Sequence, residues 1–183
     1  MTSRKLILGS LLAITLLSFR DAHHRTALRR FFHSAPEGDI YIIVVKSNFE
    51  LQLYDKDGWY ATYPAVFGSK DLDDKMVMGD RKTPEGTFHI VSKRLHEKWN
   101  KIMDLDYPTA ADKAKFNDRK AQGLIPSSAR IGDGIAIHGT WPHDEHAVDA
   151  YQMWINGCVS LKNEDMDEVY RIVPVGTKVT IQH

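Results

Sequence analysis

The chain contains a single cysteine, Cys158, which stands directly after a glycine in Trp154-Ile155-Asn156-Gly157-Cys158-Val159. Upstream, Ile135-Ala136-Ile137-His138-Gly139 sets a histidine at the end of an apolar run. A thiol and an imidazole are the pair that cysteine-based acyl transfer uses. A base takes the thiol proton, a third group orients that base, and backbone N–H groups meet the developing oxyanion. Each part has a candidate here. His138 would accept the proton, the Gly139 carbonyl would hold the other ring nitrogen, and the N–H groups of Asn156, Gly157 and Cys158 would form the oxyanion hole. Gly157 lets the backbone come close. A lone cysteine is also a common small buried hydrophobe, so the thiol gains weight only from the pattern around it.

Other chemistries compete. His138, His143 and His146 lie near Asp144 and Glu145, the donor types of zinc hydrolases. The His143-x-x-His146 spacing is not that of a helical His-Glu-x-x-His site, however, and Pro142 makes the segment a loop, so no metal is expected. Asp71, Asp73 and Asp74 read as a solvated acidic loop rather than a glycosidase pair or a calcium site. Trp141, Tyr151 and Trp154 are candidate platforms for a sugar or peptide, with core packing as the alternative.

One domain must position these residues, since 183 residues with 43% hydrophobic content build one core and not two. Ile40 to Val45 is β-branched and aromatic, and Phe49, Leu51 and Leu53 alternate with Glu50, Gln52 and Tyr54, which predicts two strands. Asp55-Lys56-Asp57-Gly58 is a turn with Gly58 at positive φ, and Trp59 to Phe67 returns as a third strand. Thr87 to Ser92, Gly134 to His138 and Thr177 to Gln182 bring the expected strands to six. A helix is signalled from Asn163 to Val173. Asn163 can cap it, Glu164, Asp165 and Asp167 suit its N-terminal dipole, Met166, Val169, Tyr170 and Val173 share a face, and Pro174 stops it. Between Lys93 and Gly123, charged residues interrupted by Pro108 predict a helical insertion carrying Trp99, Tyr107 and Phe116, either a lid or a solvated surface segment. The fold class expected is mainly β, a small barrel or sandwich of about six or more strands with a C-terminal helix and a helical insertion.

Charge locates the ends of this domain. Lys plus Arg and Asp plus Glu both number 24, which gives no reason to expect nucleic acid as a partner. Residues 1–33 hold six basic side chains (Arg4, Lys5, Arg20, Arg25, Arg29, Arg30) against Asp21 alone, leaving 18 basic and 23 acidic groups for the remainder. Arg4 and Lys5 precede an uncharged, leucine-rich stretch from Leu6 to Phe19, the pattern of a signal sequence. As a helix it would reach roughly 21 Å, short of the ~30 Å hydrocarbon core. No A-x-A-like cleavage site follows it. Residues 1–20 are therefore expected to be a signal peptide or signal anchor, with residues 6–19 as the membrane tether. Residues 21–36 are expected to be a basic linker ending in Ser34-Ala35-Pro36, and residues 37–183 the globular domain. The expected location is the periplasm or cell envelope.

At its chemical residues the sequence resembles the L,D-transpeptidase catalytic domain (YkuD) family, on His138-Gly139, Gly157-Cys158-Val159 and an upstream Gly79-Asp80-Arg81-Lys82-Thr83-Pro84-Glu85-Gly86-Thr87-Phe88 segment. The similarity runs from about Asp39 to Gln182. The resemblance implies Cys158 as nucleophile, His138 as base, no cofactor, and peptidoglycan stem peptides as substrate. Cleavage of the L,D bond is followed by transfer to an amine, or by hydrolysis in carboxypeptidase-like members. Two positions depart from the family pattern. Ile155-Asn156 stands where many members have Ser-His, and Ser160 where many place an arginine that would bind a carboxylate. With Ser160 at that place, Arg130, Arg81 and Lys82 are the candidate replacements, and Ser160, Arg130, Trp141 and Trp154 are the expected substrate contacts.

Overall fold

A computed structural model describes residues 24–30, 35–142 and 144–183. The expected signal or anchor at 6–19, and His143, lie outside the described residues. The strands are β1 (Leu28–Arg29), β2 (Tyr41–Val45), β3 (Glu50–Asp55), β4 (Gly58–Val66), β5 (Gly86–His96), β6 (Asn100–Leu105), β7 (Ala136–His138), β8 (Val159–Leu161) and β9 (Lys178–Gln182). The helices are α1 (Ala110–Ala121), α2 (His146–Asp149) and α3 (Asn163–Ile172).

Eight strands close into a barrel in the order β4-β3-β2-β9-β5-β6-β7-β8, with β8 returning to β4 and β1 added outside on β4. The alternation in the sequence explains the opening strands. In β2 and β3 every second residue is buried, which sends Ile42, Val44, Leu51 and Leu53 into the core opposite Val179 and Ile181 of β9. Burying each such side chain contributes about 1.5–3 kcal/mol, and truncating one to alanine inside a closed barrel costs about 2–5 kcal/mol. The Asp55–Gly58 turn forms as expected, with Gly58 at φ 100° and the Asp55 carboxylate accepting from the Asp57 N–H at 2.9 Å. Helix α3 buries Met166 and Val169 and packs against β6. Its cap position is Lys162 rather than Asn163, which is the first helical residue and makes no capping bond.

One expectation needs correction. The segment from Lys93 is not helical throughout. Its first half is the β5–β6 hairpin, and only Ala110–Ala121 is helical, opened by a Thr109–Asp112 capping box. The dense charge there decorates the solvent side of the hairpin, while Ile102, Met103 and Leu105 bury. Within the expected linker, residues 24–30 pack on the barrel. Leu28 and Arg29 pair with Thr62 and Ala61 of β4. Arg30 grips Asp55 at 2.8 Å and Arg29 pairs with Glu168. The Arg25 N–H donates to Asp149 at 2.8 Å while its guanidinium lies 4.1 Å from the centre of the Tyr151 ring. The arginines of this expected basic linker are matched by acids elsewhere in the sequence: Arg25 by Asp149, Arg29 by Glu168 and Arg30 by Asp55.

Candidate active site

His138 ends β7, which runs antiparallel to β6 and parallel to β8. The register places Arg94, Ile102, His138 and Ser160 on one rung of adjacent strands. The imidazole is 2% exposed. Trp99 stacks on it at 5.0 Å between ring centres, and Trp154 meets it edge-on at 5.7 Å. Its Nδ1 lies 2.7 Å from the Gly139 carbonyl, which can only accept, so Nδ1 carries the proton of the neutral ring and Nε2 the lone pair. Gly139 is itself pinned, because its N–H donates to the Trp99 carbonyl at 3.1 Å and a side chain there would collide with Asn163. Burial among aromatic rings pushes the imidazole down to about 4.

Cys158 ends the loop before β8 and is only partly exposed. Its Sγ donates to the Gly134 carbonyl at 3.6 Å, and desolvation pushes the thiol up to about 11. Gly157 adopts φ 103°, a conformation that favours glycine, and its close approach to the Lys82 carbonyl leaves no room for a side chain. The upstream motif supports this loop. Arg81 donates to the Ile155 and Met153 carbonyls at 3.3 and 2.7 Å, and Thr83 Oγ1 donates to the Cys158 carbonyl at 3.4 Å. Asp80 fixes the motif by accepting from the N–H groups of Met76, Val77 and Lys82 at 2.7, 2.9 and 3.0 Å. The N–H groups of Asn156, Gly157 and Cys158 have no hydrogen-bond partner among the described residues.

Cys158 and His138 line one cavity of about 410 Å³, together with Asn156, Trp141 and Trp154. Gly139 and Gly157 stand behind it as supports. Two expected substrate contacts lie elsewhere. Ser160 is fully buried and donates from Oγ to the Gly139 carbonyl at 3.4 Å, so it backs the histidine and does not face the cavity. Arg130 is not among the lining residues. Arg81 is used by the loop carbonyls, and Lys82 pairs with Asp71 at 2.6 Å. Arg94, Asp104 and Asp133 line the cavity without a sequence signal, and so does Trp99, which the sequence places in the possible lid. Reading 93–105 as a hairpin would have put Arg94 and Ile102 on the face of His138. His146 lines a separate cleft of about 850 Å³ with His24 and His96. That cleft is larger but holds no nucleophile, so the smaller cavity is the candidate site.

The closed barrel brings a cysteine just before β8 and a histidine at the end of β7 into one cavity. Residues 39–181 match the L,D-transpeptidase catalytic domain (YkuD) family, and the chain belongs to that family. It is 27% identical over 148 residues to YqjB of Bacillus subtilis (strain 168), a protein named for L,D-transpeptidase activity, covering 79% of this chain and 72% of that one. Among solved structures it resembles the helical cell shape determining protein Pgp2 from Campylobacter jejuni (TM-score 0.56, 24% identity, 79% of this chain and 48% of that one). It also resembles Bd1075 of Bdellovibrio bacteriovorus (TM-score 0.55, 19% identity, 86% of this chain and 54% of that one). The chain thus spans about half the length of these solved structures, and the likeness is one of fold.

Proposed function

We propose that the protein is a peptidoglycan L,D-transpeptidase working through a thioacyl-enzyme on Cys158. The observation that carries this reading is the shared cavity, in which the only thiol of the chain and an imidazole with its Nδ1 committed to a carbonyl line the same space. The Cys158 proton passes to His138 Nε2 as sulfur attacks the carbonyl carbon at the L,D bond of a stem peptide. The N–H groups of Asn156, Gly157 and Cys158 receive the oxyanion. The C–N bond then breaks, the departing D-amino acid takes the proton from His138, and a thioester remains. An amine of a second stem attacks it, its proton leaves by way of His138 to sulfur, and the new amide and the free thiol are regenerated. With the thiol held at about 11 and the imidazole at about 4, the resting pair is neutral at pH 7, and the proton moves as the donor is attacked. Residues 37–183 form the catalytic domain in this reading, and residues 6–19 direct it to the cell envelope as a signal or anchor. The test is mass spectrometry after incubating the purified protein with disaccharide-tetrapeptides. L,D-cross-linked dimers and an acyl adduct on Cys158 are expected. Trimmed tripeptides alone would assign it as a carboxypeptidase, and unchanged muropeptides would refute the proposal.

A further inference from the structure

The cavity that holds Cys158 is walled largely by aromatic and aliphatic groups, and Arg94 is the only Lys or Arg side chain among its lining residues. Arg94 stands opposite Ile102, which stands opposite His138, so arginine and histidine share a rung two strands apart. At the usual strand spacing their backbones are about 10 Å from each other. The guanidinium is oriented without being used up. Its Nε and Nη2 donate to Asp104 at 3.2 and 3.3 Å, while Nη1 has no hydrogen-bond partner among the described residues and the side chain is 50% exposed. Asp104 is held independently, by the Ser92 hydroxyl at 2.5 Å, and its backbone lies opposite Ala136, two residues along and so on the same face as the Ile102–His138 rung.

A reaction that expels a C-terminal D-amino acid starts from a donor with a free carboxylate one residue beyond the attacked carbonyl. An extended residue spans at most ~3.6 Å, so with the carbonyl beside Cys158 and His138 that carboxylate stays within one residue's reach of it, in a cavity whose lining offers Arg94 as its one Lys or Arg side chain. A planar guanidinium with a free edge matches a carboxylate in shape and charge. We propose that Arg94 is the specificity-determining residue that selects donors with a free terminal carboxylate, and that Asp104 is the positioning residue that aims it. This inference rests on the transpeptidase reading and adds to it the group of the substrate that is recognised.

The test uses full-length Cys158→Ala protein, with and without Arg94→Gln. Calorimetry measures binding of a disaccharide-tetrapeptide ending in a free carboxylate and of the same compound ending in a carboxamide. In the Cys158→Ala background the acid should bind about tenfold to hundredfold more tightly than the amide. Adding Arg94→Gln should erase that preference by weakening the acid alone, so that unchanged amide affinity doubles as the control for folding. Arg94→Lys should keep part of the preference, since it retains the charge without the fork. A preference that survives Arg94→Gln, or an acid that binds no better than its amide, overturns the assignment of Arg94 and leaves the transpeptidase reading standing if the unmutated protein still makes cross-linked dimers. No binding of either compound overturns both.

Discussion

The cavity and the strap of residues 24–30 treat ionisable groups in opposite ways. Around the cavity, burial dominates: among the described residues no carboxylate reaches His138 and no cation reaches Cys158 within bonding distance, so imidazole and thiol are both driven toward their neutral forms. Along the strap, pairing dominates. Arg30 holds the Asp55 carboxyl below its usual range, and hydrogen bonding to Glu168 raises Arg29. Asp165 is the exception on the strap side. Arg29 comes only within 3.9 Å and one carboxylate oxygen is buried without a partner, so desolvation, aided by Glu164, lifts it to about 6. A partner must therefore touch a buried charge to keep it ionised.

The contrast can be broken at its strongest point first. Cys158→Ala should remove turnover by at least about 10⁴-fold with an unchanged melting temperature, because the neutral thiol contributes chemistry and little packing. His138→Ala should lower kcat by ~10²–10⁴-fold in the same muropeptide assay. Desolvation of the thiol has its own signature, since iodoacetamide labelling of Cys158 should keep accelerating as pH rises toward about 11. A rate that levels off below pH 9 would show that the sulfur is not desolvated in solution.

On the strap side the effects are smaller and fall on stability. Asp55→Ala leaves Arg30 without its buried carboxylate and should lower the melting temperature by roughly 3–10 °C with kcat and KM unchanged, since Asp55 does not line the cavity. The smallest effect belongs to Asp165→Asn. A carboxyl raised from 3.8 to about 6 on folding contributes stability at low pH that is lost as pH climbs through that window. The variant should melt about 2–5 °C higher than its parent at pH 7.5, and the gap should close near pH 4. His138 works the other way, because an imidazole held at about 4 withdraws stability as pH falls below 6.5. Thermal melts of the variant should thus decline more steeply between pH 6.5 and 4 than those of the parent.

How much of this was legible in the sequence depended on the range of the deciding contact. The β2–β4 meander, the Asp55–Gly58 turn and α3 follow from alternation, a positive-φ glycine and one apolar stripe, all of them local signals. The Cys158–His138 pair is visible because a lone thiol after Gly and a His-Gly at a strand end are rare in type and order. What stayed hidden was set from far away. The three residues of β8 are a strand only because β4 and β7 flank them, and that pairing turns Ser160, an expected substrate contact, inward against Gly139. The partners of Arg25 and Arg29 leave no local signal because Asp149 and Glu168 lie more than a hundred residues away. Arg94 stayed unremarked because its hairpin carries so much surface charge that it passed for helix.

Strand order also sets a schedule. β9 lies between β2 and β5, parallel to the first and antiparallel to the second, and so joins the meander to the half of the barrel that carries the cavity. Tyr41 finds its partner only at Lys178. Pairings this distant in sequence form slowly, and until they do β2 and β5 present bare edges. Strands β7 and β8 can be synthesised, and their cysteine and histidine brought near each other, while the wall behind them is still open. The five residues of β9 decide when Cys158 and His138 acquire a dry and fixed setting.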